Sequence, residues 1–258
     1  MTSVLEQVGL VARRSVRRTL RQPALIVPTI VFPLFLMAVN ASGLDAATEL
    51  PGFPTDNYLN FALSVCFMQG ALFAATTAGA ELATDIETGF LNRLSLTPLR
   101  GVAVLVGQLA GAVLVSLLAS LVYLAVGLAA GAELESGIAG AVVLLALAVL
   151  VGIAFGALGL LMALRTGSAE AVQGLFPLMF VVFFLSSLNL PRNLIETDWF
   201  RAIATYNPVS YLIEGIRSLV ITGWDGEALA LGFGIALALG ALAFGLSASA
   251  LRTRLTRT

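Results

Sequence analysis

Glu81, Asp85 and Glu87 are the one close set of carboxylates in a chain that has no His, no Lys and a single Cys. Such a set can hold a cation, but a hydrolytic or metal centre needs partners that this chain lacks. Without Lys there is no P-loop lysine to grip a nucleotide's phosphates. Without His there is no Ser–His or Cys–His nucleophile and no histidine metal ligand. Cys66 stands alone inside an apolar stretch, which excludes an intrachain disulfide and predicts a small buried hydrophobe. No catalytic residue, no metal site and no cofactor bound by the chain itself is expected.

The elements that must position these groups are set by hydropathy. Of 258 residues, 59% are hydrophobic and 11% charged, where a soluble domain carries about 25% charge. Mean hydropathy is +0.97. Six stretches lack Asp, Glu, Lys and Arg: residues 24–44, 57–80, 101–132, 136–164, 171–191 and 228–251. A hydrocarbon core about 30 Å thick needs roughly 20 helical residues, and each stretch reaches that length. Backbone amides in lipid are satisfied within a helix, and runs such as Val142–Leu147 lack the alternation of a barrel strand. The expected fold is all-α, a single polytopic domain of six transmembrane helices.

The arginines orient it. If the stretches alternate direction, one side collects eleven arginines against five acids, and the other three arginines against ten acids. The positive-inside rule then places both termini in the cytoplasm. A model with five or seven spans breaks this separation. More than twenty residues precede the first span, which is long for a signal peptide.

Between the spans, three segments carry information. Residues 4–21 predict an amphipathic helix, with Val4, Leu5, Val8, Val11, Ala12, Val16 and Leu20 on one half. Arg13, Arg14, Arg17, Arg18 and Arg21 fall on the other. It should lie in the cytoplasmic interface with its arginines toward lipid phosphates. Residues 81–100 form the longest polar cytoplasmic stretch. Ala80–Ile86 are expected to prolong the second span, Gly89 to interrupt it, and Phe90, Leu91, Leu94 and Leu96 to give a short apolar face ended by Pro98. Residues 192–227 are external. There Asn207 and Pro208 suit a helix start, and Val209, Leu212, Ile213, Ile216, Leu219 and Val220 make an apolar stripe. That helix should lie in the outer interface or re-enter the membrane, with Glu214 and Arg217 close enough to pair.

Within the spans, Pro28 and Pro33 predict a kinked first helix. Gly107-x-x-x-Gly111, Gly127-x-x-x-Gly131 and Gly152-x-x-x-Gly156 are spaced for close helix approach. Asn40, Gln69, Gln108 and Asn189 are the larger polar groups; they either line a pathway or hydrogen-bond across helices. No span holds a charge away from its ends, which argues against an ion-coupled carrier. Energy for pumping must then come from another chain, most simply an ATPase on the cytoplasmic face.

Arg21-Gln22-Pro23, the run Glu87-Thr88-Gly89-Phe90-Leu91-Asn92-Arg93-Leu94 with Thr97-Pro98, and Asn207-Pro208-Val209-Ser210 with Tyr211 and Glu214-Gly215-Ile216-Arg217 occur here in order. In this arrangement the chain resembles the permease subunit of a type-2 ABC exporter, nearest to the daunorubicin-resistance type. The resemblance implies an ATP-driven exporter of an amphipathic drug-like or lipid-like substrate in a bacterial plasma membrane. It further implies two cytoplasmic ABC ATPase subunits that hold ATP and Mg, a second copy of the permease or a homologue, and no nucleic-acid partner. Residues 4–21 would be the elbow helix. Glu87, Gly89, Phe90, Leu91, Arg93, Leu94 and Pro98 would form the ATPase-coupling segment, and Asn207, Pro208, Tyr211, Glu214 and Arg217 an external gate. Phe67, Gln69, Phe73, Phe180 and Phe184 would line the substrate pathway. Export of a lipid-linked polysaccharide shares this architecture, although Phe (15, against 4 Tyr and 2 Trp) favours an apolar cargo. Outside the class stands a membrane anchor or sensor that transports nothing.

Overall fold

The computed structural model describes residues 3–95 and 99–255. Its helices are α1 (Val4–Leu20), α2 (Pro23–Gly43), α3 (Tyr58–Glu87), α4 (Phe90–Ser95), α5 (Gly101–Ala129), α6 (Gly137–Thr166), α7 (Ala169–Gln173), α8 (Leu175–Phe184), α9 (Asp198–Tyr206), α10 (Pro208–Ile221) and α11 (Gly226–Leu255). No strand occurs among the described residues. Pro98 and Leu96 lie outside the described residues.

Five helices, α2, α3, α5, α6 and α11, are long and apolar enough to cross a membrane. The central one is α3, where 89% of the apolar window is buried, against 17% for α2 and for α11. Its neighbours in the core are α2, α5, α6 and α10. The expected fifth span differs from the sequence reading. Instead of one helix over 171–191, α7 and α8 meet at Gly174, and α8 stops at Phe184. Pro177 explains the break: it lacks an N–H and its ring crowds the carbonyl four residues earlier, on Gln173.

Proline leaves another mark on α2. Pro33 removes the donor that would satisfy the Thr29 carbonyl, and the Tyr123 hydroxyl of α5 donates to that carbonyl instead. An unpaired carbonyl in an apolar layer would be costly, so Tyr123 both tolerates the kink and fixes α2 to α5. Cys66 is buried and its Sγ contacts the Pro33 carbonyl at 3.4 Å, in keeping with a small packed hydrophobe.

The charges segregate as the sequence suggested. α1, α4, the C-terminal ends of α3, α6 and α11 and the start of α5 share an arginine-rich end. The loops before α3 and α6 share the other end with α9 and α10. There the external segment holds one helix that the periodicity missed. Asp198–Tyr206 has Trp199, Ile203 and Tyr206 exposed.

Two of the Gly-x-x-x-Gly pairs pack helices. A Cβ on Gly107 would lie 2.5 Å from Val11 Cβ, and one on Gly111 2.7 Å from Ser15 Oγ, so this pair is the seat of α1 on α5. Gly152 and Gly156 receive Ser116 and Ala112 of α5. Gly131, by contrast, has φ 97° and open space around it; it turns the chain after α5 and packs against nothing.

Candidate functional site

At the arginine-rich end, Ser3 starts α1 with a capping box, its Oγ accepting from Glu6 N and Glu6 accepting from Ser3 N. The helix buries Gln7, Val11, Ser15 and Thr19, a stripe at four-residue spacing that is mostly polar. Its polar partners lie on α3 and α5. Ser15 Oγ donates to Glu81 Oε2 (3.2 Å) and Thr19 Oγ1 to Glu81 Oε1 (2.8 Å). Arg14 reaches Asp85 with both terminal nitrogens at 2.7 Å, Arg18 reaches it at 2.8 Å, and Gln108 Nε2 donates to it at 2.8 Å. Asp85 is almost fully covered, so three donors and two positive charges compensate one desolvated carboxylate. The bidentate bond to Asp85 holds the Arg14 guanidinium above its ordinary pKa, against the opposing effect of partial burial.

This changes the sequence reading of α1. Arg14 and Arg18 face the protein, whereas Arg13, Arg17 and Arg21 are exposed. The carboxylates Glu81 and Asp85 are spoken for by α1, so the cation-binding option for them falls away. Among the described residues no group of three acids, His or Cys has metal-site geometry.

The expected coupling segment folds onto the same joint. Gly89 turns the chain between α3 and α4 with φ 68°, a conformation that strains any residue with a Cβ. Phe90 lies under Arg14, whose guanidinium carbon is 4.0 Å from the ring centre. Leu91 is 3% exposed and Leu94 half-buried. Together with Leu10, Val11 and Leu99 they surround a cavity of about 180 Å³ between α1, α4 and α5. The apolar face of this segment therefore packs largely onto its own bundle, while Glu87, Thr88, Asn92 and Arg93 point outward. Glu87 Oε1 also accepts from Ala169 N at 2.8 Å. It thereby ties the segment to the start of α7, where a carboxylate also suits the helix dipole.

At the opposite end Asn207 and Arg217 are buried, Tyr211 and Glu214 partly so, and Pro208 is exposed. Glu214 does not pair with Arg217. It pairs with Arg192, which also lies over the Tyr211 ring at 4.6 Å. Arg217 instead donates to the carbonyls of Ser187 and Leu188, both at 3.1 Å, and sits over Phe61 at 3.5 Å. Asn207 Oδ1 caps α10 through Val209 N, and its Nδ2 donates to the carbonyls of Val182 (2.7 Å) and Leu185 (3.1 Å). Tyr58 adds a donor to Asn189 O, and Ser210 accepts from Ser187 N. Past Phe184 the chain leaves the helix, and its orphaned carbonyls are satisfied by α10 and α3. Arg217 is thus a carbonyl cap, a role its spacing from Glu214 did not suggest.

The pathway residues divide. Phe32, Phe73, Phe176, Phe180 and Phe184 form a chain of rings 5.0 to 6.2 Å apart, joining α2, α3 and α8. Phe73 and Phe176 also line an open cavity of about 340 Å³ with Pro28, Thr76, Thr77 and Gln173. Phe67 is elsewhere, buried edge-on against Tyr123. Gln69 is buried too, and its Oε1 has no hydrogen-bond partner.

The fold and these two polar joints define a multi-pass helical membrane protein whose N-terminal helix is locked to a short helix-bearing loop. Residues 6–221 match the model of the ABC-2 type transporter family. The chain belongs to that family and is a membrane permease subunit of an ABC exporter. It is 24% identical to the probable doxorubicin resistance ABC transporter permease protein DrrC of Mycobacterium tuberculosis, over 84% of this chain and 78% of the relative. The daunorubicin resistance ABC transporter permease protein DrrB1 of Streptomyces coeruleorubidus is 30% identical over 64% of this chain and 59% of its own length. A putative transport permease, ycf38, of Porphyra purpurea is 28% identical over 86% and 77%.

Proposed function

We propose that two copies of this permease, or one copy and a homologue, assemble in a bacterial plasma membrane with two ABC ATPase subunits. The ATPases bind ATP and Mg and hydrolyse ATP, and the complex exports an amphipathic, drug-like molecule. The arginine-rich end faces the cytoplasm, so both termini are cytoplasmic. The family match carries this reading, and the joint around Asp85 supports it. A loop that receives force needs a rigid mount, and this loop is mounted on α1 by Arg14, Arg18 and Phe90.

In this reading the ATPase contacts Glu87, Thr88, Asn92 and Arg93, the outward side of the coupling segment. Leu91 and Leu94 hold that side in place, a different role from the direct contact their apolarity suggested. Displacement of the segment pulls α7 through Glu87 and so moves the Phe176–Phe180–Phe184 ladder. Substrate from the inner leaflet enters the cavity beside Phe73 and Phe176, where threonines and Gln173 give a polar edge to an apolar wall. The names of the doxorubicin- and daunorubicin-resistance relatives favour a planar, amphipathic cargo over a polysaccharide.

The test is co-purification in mild detergent from cells that also express the neighbouring genes, for wild type and Arg93→Glu. The expected result is a stoichiometric P-loop ATPase with wild type and its loss with the variant, while the permease yield stays constant. A permease that purifies alone would refute the exporter complex. Equal recovery of the ATPase with both proteins would move its contact away from Arg93.

A further inference from the structure

We propose that the outward side of α1 is a binding site for the phosphate headgroup of an anionic phospholipid in the inner leaflet. Three sectors run around this helix. Gln7, Val11, Ser15 and Thr19 face the protein. Next around the helix come Leu5, Val16 and Leu20; Leu5 is 83% exposed and Leu20 53%. The third sector holds Arg13, Arg17 and Arg21, one turn apart and all exposed.

The electrostatics separate these three arginines from the other two of the helix. Asp85 neutralises Arg14 and Arg18. Among the described residues, Arg13, Arg17 and Arg21 meet no carboxylate. The one acid of the helix, Glu6, is turned to the capping box at the far end. The arginines flank an open groove of about 590 Å³ that ends at Gln22, next to the start of α2 at Pro23.

Charge complementarity and the order of sectors select the occupant. An exposed leucine sector beside an unpaired arginine sector matches the acyl–headgroup boundary, where an interfacial helix places apolar residues inward and cations at the phosphates. An acidic protein surface would complement the arginines but leave Leu5 and Leu20 without an apolar partner. The site is independent of the exporter reading, since it needs only the helix and a bilayer.

The test uses the full-length protein reconstituted in phosphatidylcholine–phosphatidylglycerol bilayers, then extracted mildly, with the retained lipid counted by mass spectrometry. Wild type should retain phosphatidylglycerol several-fold above its bulk share. Retention should fall about fivefold for each arginine lost from the set Arg13→Gln, Arg17→Gln and Arg21→Gln. Arg252→Gln, which removes an exposed charge at the same end of the molecule, should leave retention unchanged. Equal phosphatidylglycerol retention by wild type and the triple variant would overturn the proposal, as would an equal loss in Arg252→Gln. Unchanged lipid retention with loss of a co-purifying protein would reassign the stripe to a protein partner.

Discussion

The two ends of this molecule solve the same problem with opposite parts. At the arginine-rich end a covered carboxylate, Asp85, is the hub and two arginines come to it from another helix. At the acidic end a covered arginine, Arg217, is the hub and carbonyls of an unwound chain come to it. The first arrangement joins two helices through charge and keeps Arg14 over a third exposed. The second replaces helical hydrogen bonds that were lost when α8 ended, and its guanidinium is sealed. A paired, partly wet joint tolerates movement; a sealed cap on orphan carbonyls does not. The comparison assigns motion to the α1–α4 end and rigidity to the α10 end.

The largest expected effect is on the rigid end. Arg217→Met leaves the Ser187 and Leu188 carbonyls unpaired, and should cost roughly 2 to 5 kcal/mol at one to three per orphaned group. The measurement is the midpoint of thermal unfolding in detergent, with Arg217→Lys recovering part of the loss. A midpoint equal to wild type would show that the cap is dispensable and would dissolve the contrast between the ends.

Asp85→Asn comes next. It leaves Arg14 and Arg18 without a counter-charge, and partial exposure of both should hold the cost to about 1–3 kcal/mol. Coupling should suffer more than stability. ATPase activity that no longer responds to substrate, in a complex that still assembles, is the expected pattern. A loss of stability as large as that of Arg217→Met, with coupling intact, would reverse the assignment.

Gly111→Val tests the seat of α1 sterically, since the added side chain must displace Ser15 and Thr19. Overpacking of this kind should cost about 1–3 kcal/mol and free α1 to protease before the rest of the bundle. Limited proteolysis that cuts wild type and variant alike would show that α1 holds by its arginines alone.

Smallest is Glu214→Gln, which removes a partly exposed pair with Arg192 and should change stability by less than about 1 kcal/mol. Its interest lies in transport. Normal export in a variant that assembles normally would exclude this pair as an external gate.

Much of this was legible in the chain. Uncharged runs long enough to cross a bilayer leave a helix little alternative, and the arginine bias separated the two ends before any contact was known. The caps were readable too: Asn207 and Pro208 start α10 as their types predict, and Gly89 breaks the chain after α3. Pro177 was the missed signal in the fifth stretch, because apolar length was allowed to outweigh a helix breaker. The short α9 escaped because a nine-residue amphipathic turn between polar loops has too few periods to stand out.

Hydropathy, charge bias and proline or glycine positions are local properties, and they fixed the helices, the sidedness of the charges and the absence of catalytic groups. Partnership is a property of space. Glu214 and Arg217 are ideal neighbours by spacing, yet Arg192 lies nearer to one and orphaned carbonyls claim the other. Arg14 and Arg18 are indistinguishable by composition from Arg13 and Arg17, and only the rotation of α1 against Gly107 and Gly111 turns one pair toward Asp85 and the others outward. That choice depended on where a backbone approach was possible, which only the packed bundle decides.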